Sequence, residues 1–286
     1  MLDNGFTYCD LQCKECSHDI GLLFPDWQEG DERLVILVPH DDDALLGAGY
    51  LIQAVQANGG DVYLIILCDG SAGYSVREDK ETIVALRRAE TSAAYQALRL
   101  TEDHILRCDY PDFSLSAYMG WRLIDGSPGT MQRILPALRG LRVTRLLVPN
   151  GYQEHVDHEA TERIGCYDGP QVGDPVLPEA GLAPPVRSML QYAVWGDFSP
   201  MDAFVCGRQS GLRANRAILA PPEAELKVME GLLAFRSQAR IIEGIVSMRE
   251  ARKNKGGWLE LYLDLKPRPG VDYGPYHSVI EQMSVV

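Results

Sequence analysis

The residues best suited to chemistry lie in two short clusters of histidine and aspartate. Residues 40–43 are one histidine and three aspartates that follow the apolar run 34–38, and residues 155–158 carry two histidines and one aspartate after the apolar run 146–148. Apolar runs of this kind predict strands, so each cluster stands at the carboxyl end of a strand. In an open parallel sheet that edge binds ligands, and imidazoles and carboxylates gathered there favour a bound metal ion.

The first cluster alone also fits a capping role. The apolar spacing from Asp43 to Val55 predicts a helix, and aspartates are common at helix starts because exposed N–H groups and the helix dipole favour them. The second cluster favours the metal, since three of the six histidines of the chain fall within the two clusters. The other three histidines are isolated: His18, His104 and His277.

The two clusters resemble the motifs of the PIG-L/LmbE-like zinc-dependent de-N-acetylases, which act mostly on substrates that contain N-acetylglucosamine. Residues 39–44 resemble the first family motif, Ala/Pro-His-Pro-Asp-Asp-Glu, at its histidine and at both functional aspartates. Residues 155–158 resemble the second motif, His-Pro-Asp-His, except at its second position. Shorter matches follow in the family's order at 68–70, 87–90, 110–112, 237–238 and 258–260.

Three positions in these motifs depart from the family pattern. Asp41 replaces a proline and adds a carboxylate that we expect beside the metal, and Ala44 replaces a glutamate that is not itself a metal ligand. Val156 replaces the proline of the second motif. None of these changes removes a residue to which the resemblance assigns metal binding or proton transfer.

The resemblance implies a metal site and a general base. His40, Asp43 and His158 are expected to hold a catalytic Zn²⁺ or another divalent ion, and two imidazoles with one carboxylate suit a zinc site that keeps a position open. Asp42 would then act as the general base that takes a proton from the attacking water.

The remaining residues of the second motif are expected to act on the reaction intermediate. By the same resemblance, His155 would stabilise the oxyanion and protonate the leaving amine, while Asp157 would hold His155 in the correct tautomer. The reaction is the hydrolysis of an amide, in which an N-acetylated amino sugar or glycoconjugate gives acetate and an amine.

Three further residues are candidates for binding the substrate. Arg87 matches a family arginine that contacts substrate oxygens, although a surface ion pair with Glu90, three residues away, would also explain it. Asp112 matches an aspartate that binds sugar hydroxyls, and Asp69 lies in a glycine-containing loop at a strand end. For both aspartates an ordinary turn is the alternative.

The composition limits the partners and the location of the protein. A net charge of −13 argues against nucleic acids and anionic membranes, because no basic patch is available to displace counterions. No apolar run approaches the roughly 18 residues that a membrane span requires, and the N-terminus lacks a signal pattern. We therefore expect a cytoplasmic protein without a membrane span, which acts on a small molecule as a homo-oligomer.

A cysteine cluster near the N-terminus suggests other chemistry. Cys9, Cys13 and Cys16 have the spacing of the cluster-binding cysteines of radical S-adenosylmethionine enzymes, and with His18 they could also form a structural zinc site. A plain N-terminal extension is the third possibility. The other four cysteines are expected to be reduced thiols: Cys68, Cys108, Cys166 and Cys206.

Strand and helix patterns alternate along most of the chain. Strands are predicted at 33–39, 61–68, 103–108 and 144–149, with helices at 44–58, 79–98, 128–140 and 157–165. Strands at 188–196, 202–207 and 216–219, a helix at 222–236 and a final helix and strand follow. This order predicts an α/β fold, Rossmann-like and doubly wound, with a mostly parallel sheet and helices on both faces.

The predicted domain organisation is one LmbE-like domain over 31–286 with an N-terminal extension over 1–30. Prolines and glycines crowd between 167 and 187, and we expect this long loop to form a wall of the substrate pocket. A different hypothesis keeps the fold without the reaction, as in a non-catalytic sugar-binding relative. The presence of Asp42 and His155 argues against it, because a binding protein needs no general base.

Overall fold

The computed structural model describes residues 5–201 and 211–283. Within these ranges one mixed sheet contains ten strands: β1 (Thr7–Asp10), β2 (Glu15–Ser17), β3 (Arg33–Val38), β4 (Asp61–Cys68), β5 (Ile105–Tyr110), β6 (Arg145–Pro149), β7 (Ser188–Tyr192), β8 (Arg216–Ala220), β9 (Lys253–Asn254) and β10 (Gly257–Leu265). The α-helices are α1 (Asp43–Ala57), α2 (Ile83–Gln96), α3 (Met131–Gly140), α4 (Val156–Asp168), α5 (Pro222–Ala234), α6 (Ala239–Arg249) and α7 (Gly274–Glu281). No helix in these two ranges is long and apolar enough to cross a membrane.

The sheet has a parallel half and an antiparallel half. Strands β7, β6, β3, β4 and β5 are neighbours in that order and run parallel. Strands β10, β8, β1 and β2 extend the sheet beyond β7 by antiparallel pairing. The chain winds from β3 outward to β5 and then returns to β6 on the other side of β3. The winding direction therefore reverses between β3 and β6, which is where such sheets bind ligands.

Strand β3 shows how the two faces of the sheet are covered. Leu34, Ile36 and Val38 point into a core formed with helices α1, α2, α5 and α6. Val35 and Leu37 point into a second core formed with α3 and α4. The predicted α/β fold with helices on both faces is confirmed, and the apolar run reads as continuous because both of its faces are buried.

Several predicted boundaries differ from the structure. The helix predicted at 79–98 begins at Ile83, and the strand predicted at 188–196 ends at Tyr192. The predicted strand 202–207 lies outside the described residues. Helix α7 had no counterpart in the sequence prediction, and its apolar side chains Val279 and Ile280 are exposed.

Residues 5–30 continue the sheet. Strand β1 pairs with β8, and Tyr8 is fully buried in the core. Cys9 and Cys16 face each other across β1 and β2 and form a disulfide, whereas Cys13 is free and exposed. With two of the three thiols joined, neither the iron–sulfur site nor the structural zinc site forms at this cluster.

The segment after α4 does not form a wall of the pocket, so that prediction is wrong. Helix α4 begins at the carboxyl edge of the sheet and carries the chain to the opposite edge, where β7 begins. There the Arg139 guanidinium donates hydrogen bonds to six backbone carbonyls between Gln171 and Gly181. The segment is therefore packed against the end of α3, away from the two histidine clusters.

Helix α1 is interrupted at Ala48, whose φ of −141° is not helical. Just beyond it, the backbone N–H groups of Tyr50 and Leu51 donate to the buried carboxylate of Glu260 on β10, over 3.0 Å in each case. A carboxylate at freed N–H groups acts as a cap for the second part of the helix. Within the stretch 258–260, which resembles the family, Glu260 thus has a structural role beneath α1.

Candidate metal centre

The three predicted metal ligands come together at the point where the winding of the sheet reverses. His40 follows β3, Asp43 is the first residue of α1, and His158 lies in the first turn of α4. Asp43 Oδ2 lies 3.2 Å from His40 Nδ1 and 3.2 Å from His158 Nε2. Donor atoms of these three side chains all lie within 4.8 Å of one another, as ligands of one ion must.

Local structure explains why these positions come together. The turn after β3 is closed by a hydrogen bond of 2.8 Å from the His40 backbone N–H to Asp43 Oδ2. In the second cluster His155 is the N-cap of α4, and its Nδ1 accepts from the Asp157 backbone N–H over 3.2 Å. Both clusters therefore combine a helix start with the end of a strand, so the capping role and the ligand role occur together.

Each candidate ligand histidine is oriented by a second carboxylate. His40 Nε2 lies 3.2 Å from Asp157 Oδ2, and His158 Nδ1 lies 2.9 Å from Glu154 Oε2. These bonds place the proton on the nitrogen that faces the carboxylate. At the other nitrogen of each ring, which faces Asp43, a metal ion would replace the proton, which is the usual arrangement of metal-binding histidines.

The atom His158 Nε2 shows that the cluster fits a metal. It is buried and lacks a hydrogen-bond partner among the described residues, although Asp43 Oδ2 is 3.2 Å away. A buried imidazole nitrogen without a partner is costly. A divalent cation between the two atoms would satisfy both, and the donor set of two imidazoles and one carboxylate suits it.

The charges of the cluster lead to the same conclusion. Burial opposes the charged form of His40, but hydrogen bonds to Asp157 and Asp43 outweigh it and raise its pKa to about 10. Burial likewise opposes the charged form of His158, and the nearby Asp43 raises its pKa to about 9. For Asp43, burial is outweighed by the two histidines, which hold its pKa well below the usual range. The cluster thus requires positive charge, which a metal ion can supply.

Asp157 contacts His40 more closely than the histidine that the resemblance assigned to it. Its Oδ2 is 3.6 Å from His155 Nδ1 and 3.2 Å from His40 Nε2. Backbone N–H groups of Phe113 and Leu115 also donate to its two oxygens, over 2.7 and 3.2 Å. Because His155 Nδ1 accepts from the backbone, its Nε2 carries the proton when the ring is neutral. Burial and the neighbouring His40 lower the pKa of His155, which favours that neutral form.

Asp42 is the most accessible carboxylate of the first cluster, with 13% of its side chain exposed. Its Oδ1 lies 3.2 Å from Arg87 Nη2, and Arg87 Nε lies 3.2 Å from Asp41 Oδ2. Arg87 is buried, so the surface ion pair with Glu90 that was the alternative does not form. Instead Arg87 links the two aspartates and fixes the position of Asp42.

Asp41 points away from the candidate metal ligands, contrary to the expectation that it adds a carboxylate beside the metal. Its Oδ1 accepts from Thr91 Oγ1 over 2.6 Å and lies 2.6 Å from Arg107 Nη1. The replacement of proline therefore creates a fully buried carboxylate that ties the turn to α2 and β5. Ala44, at the other unusual position, is buried in the core.

The two other predicted substrate residues have partners inside the protein. Asp112 accepts hydrogen bonds from the backbone N–H groups of Gly70 and Ala72, over 3.0 and 2.9 Å. Asp69 accepts from the Ser71 N–H, as in an ordinary turn. Asp112 remains close enough to the site to form a second group of possible donors with His40 and Cys68. Burial raises the pKa of Asp112.

Sequence reasoning missed three residues of the site. Glu154 supports His158, and its Oε1 also accepts from the backbone N–H groups of residues 194–196. The rings of Phe113 and Trp195 pack against His155 and His158, with centroid distances of 4.5 and 5.0 Å. The position of Glu154 four residues before a candidate ligand was the only signal available for any of them.

Comparisons with known proteins support the family resemblance and the fold. Residues 35–166 match the model of the family described as PIG-L: GlcNAc-PI de-N-acetylase. No curated protein sequence matches the chain. The solved structure of N,N'-diacetylchitobiose deacetylase from Pyrococcus horikoshii is 17% identical, with a TM-score of 0.62 over 87% of this chain and 90% of that one.

Two further solved structures have the same fold. A 4-carboxy-2-hydroxymuconate hydratase from Pseudomonas putida is 13% identical, with a TM-score of 0.59 over 84% of this chain and 99% of that one. The zinc-inhibited form of a teicoplanin deacetylase is 18% identical, with a TM-score of 0.53 over 82% of this chain and 98% of that one. At such identities the likeness establishes the fold, and both histidine clusters lie inside the segment that the family model matches. The segment that carries the candidate metal ligands therefore matches the PIG-L family model, as the two motifs predicted.

Proposed function

We propose that this protein is a zinc-dependent amide hydrolase that removes the acetyl group from an N-acetylated amino sugar. The observation that carries the proposal is the buried His158 Nε2, which faces Asp43 and His40 and lacks a hydrogen-bond partner among the described residues. The PIG-L match supports the substrate class, and two of the structural neighbours described above are deacetylases.

His40, Asp43 and His158 would hold the metal, with Asp157 and Glu154 fixing the two imidazoles. A divalent ion held there supplies Lewis-acid activation of water and of the amide carbonyl. Zinc suits this donor set, although the teicoplanin deacetylase structure is a zinc-inhibited form of that enzyme. Metal identity is therefore tested as part of the proposal.

The side chains around the metal divide the proton transfers. Asp42 takes a proton from the attacking water, and Arg87 keeps its carboxylate in place. The Nε2–H of His155 donates to the oxygen of the former carbonyl as that oxygen becomes negative. When the C–N bond breaks, the proton that Asp42 took from the water passes to the leaving nitrogen by way of the His155 ring, and the product departs as a neutral amine.

A direct assay tests the proposal. Purified protein, stripped of metal and reloaded with Zn²⁺, Co²⁺, Mn²⁺ or Mg²⁺ at increasing ratios, would be assayed for acetate release from N-acetylglucosamine, N,N'-diacetylchitobiose and methyl N-acetylglucosaminide. We expect activity with one equivalent of a transition metal and little with Mg²⁺, which prefers oxygen ligands. Because a hydratase shares this fold, absence of acetate release with every metal would contradict the proposal.

Assembly and location also remain predictions from the sequence. A homo-oligomer would be detected by light scattering of the purified protein, and a cytoplasmic location by fractionation of the source cells. Neither result changes the assignment of the metal ligands.

A further inference from the structure

We propose that Phe113 and Trp195 form the binding site for the sugar ring, so that the substrate is an N-acetylated pyranose whose apolar C–H face stacks on these two aromatic side chains. This inference rests on the proposed function and adds to it the residues that recognise the substrate.

Phe113 is unusually exposed for an aromatic residue beside a polar site. Its side chain is 63% exposed, and its ring lies 4.5 Å from the ring of His155. Its φ of 60° is in the left-handed region, which costs free energy for a residue with a large side chain. The hydrogen bond of 2.7 Å from its N–H to Asp157 Oδ2 helps to hold this conformation. Strain and exposure at one residue of a candidate active site indicate a function.

Trp195 is likewise an exposed aromatic residue, and it lies beside the second candidate ligand histidine, His158. It is 47% exposed, and its ring lies 5.0 Å from the ring of His158. Its backbone N–H donates to Glu154 Oε1 over 3.1 Å. The two carboxylates that orient the candidate ligand histidines thus also hold the backbone of the two aromatic residues. The backbone from which each ring projects is therefore fixed in position relative to the metal site.

The polar side chains near the two rings already have partners inside the protein, so we expect the rings to recognise the sugar by stacking. Arg87, Asp112 and Asp69, the three predicted substrate-binding residues, already bind groups inside the protein. An aromatic face carries negative potential and attracts C–H groups that neighbouring oxygens have polarised. A pyranose presents such a C–H face while its hydroxyls stay in water, so it can cover the exposed rings without burying polar groups.

The test uses leucine variants that remove the flat face and keep an apolar side chain. Phe113→Leu and Trp195→Leu would be compared with the wild type on methyl N-acetylglucosaminide, after circular dichroism and metal content confirm that each variant is folded and loaded. Trp121→Leu and Tyr167→Leu, at exposed aromatic residues that have no ring contact with the histidines among the described residues, are matched controls. We expect KM to rise by about fivefold to tenfold in each test variant, with kcat within about twofold.

A binding measurement separates recognition from turnover. In saturation-transfer NMR with the Asp42→Asn protein, saturation of the aromatic protons should pass to the ring protons of the glycoside, and this transfer should weaken when Trp195→Leu is added. Trp195→Phe and Phe113→Tyr should restore KM to within about threefold of the wild type, since both keep an aromatic face.

The outcomes distinguish this inference from the proposed function. If the wild type neither binds nor deacetylates any N-acetylated sugar, the proposed function fails and this inference fails with it. If the wild type is active but both leucine variants keep the wild-type KM, the proposed function stands and this inference is overturned. A fall in kcat at unchanged KM would also overturn it, because the rings would then only support the histidines.

Discussion

Helix α1 contacts two clusters of buried charge, one at its first residue and one at its interruption. We name them the metal cluster and the arginine cluster. The metal cluster comprises His40, Asp43, Glu154, Asp157 and His158. The arginine cluster comprises Tyr50, Glu225, Arg249, Arg252 and Glu260.

The two clusters differ in the source of their positive charge. In the arginine cluster Glu225 pairs with Arg249, and Glu260 faces Arg252 and backbone N–H groups. In the metal cluster no lysine or arginine of the described ranges pairs with the three carboxylates, which face histidines, backbone N–H groups and the thiol of Cys68. Arginine is always charged, so the first arrangement is complete within the protein. Histidine can exchange its proton for a metal, so the second arrangement can serve a reaction.

The largest effect is expected from a change that leaves both clusters intact. Asp42→Asn should keep the metal and lower kcat by about 10² to 10⁴, because a general base contributes that much while a residue outside the ligand set leaves affinity unchanged. Acetate release and metal content of the same sample measure the two quantities. Asp125→Asn, in an exposed turn, is the control. Near wild-type turnover in Asp42→Asn would contradict the assignment of Asp42 as the general base.

Breaking the arginine cluster should affect stability and spare the metal. Arg249→Met leaves the buried Glu225 without its charged partner, so the free energy of unfolding should fall by about 3 to 5 kcal/mol. Urea denaturation measures this. Arg163→Met removes an exposed pair with Glu159 and should cost less than about 1 kcal/mol. Equal effects of the two substitutions would mean that burial does not distinguish the pairs.

Changing a supporting carboxylate of the metal cluster should have an intermediate effect. Glu154→Gln weakens the orientation of His158 without removing a ligand, so metal affinity should fall by roughly 10-fold to 100-fold. Competition with a chelator measures the affinity. Glu159→Gln, on the exposed face of the same helix, should leave it unchanged. If Glu154→Gln binds metal as tightly as the wild type, the orienting role is wrong.

Asp168 is a buried carboxyl outside both clusters. Among the described residues it pairs neither with an arginine, as in the arginine cluster, nor with a histidine, as in the metal cluster. No hydrogen bond or ion pair reaches its side chain from residues 5–201 and 211–283, and burial raises its pKa to about 7. The unfolded chain loses this proton near pH 4, whereas the folded protein keeps it until about pH 7. Stability should therefore fall as the pH rises from 4 to 7, by on the order of 2–4 kcal/mol, and then level off.

The matching substitution isolates that contribution. Asp168→Asn cannot ionise, so its free energy of unfolding should fall less than that of the wild type between pH 4 and pH 7. Urea denaturation at several pH values measures both proteins. Identical pH profiles would show that Asp168 ionises in the folded protein as it does in the unfolded chain.

The parts of the site that could be predicted from sequence are those fixed by local structure. His40, Asp43 and His158 follow strands and begin helices, and the winding of a parallel sheet brings such positions together. The support from Glu154 to Trp195 joins segments 41 residues apart, and no periodicity encodes that contact. Asp41 turned toward α2 because Thr91 and Arg107 face it, which only the packed helix and strand reveal.

Contacts between segments far apart in sequence also explain the errors in the predicted fold. The glycine- and proline-rich segment after α4 was assigned to the pocket because it follows the second motif in sequence. Helix α4 places it at the opposite edge of the sheet, since 13 residues of helix carry the chain about 20 Å. The Cys9–Cys16 disulfide follows from strand pairing across a turn, and cysteine spacing alone equally suited a metal cluster.

The most direct test of this account is the metal content of purified protein determined by elemental analysis. The wild type and His277→Ala, which changes an exposed histidine outside both clusters, should each carry close to one divalent transition-metal ion per chain. His158→Ala removes the ligand whose Nε2 lacks a hydrogen-bond partner and should carry almost none. Full occupancy in His158→Ala would contradict the assignment of His40, Asp43 and His158 as the metal site.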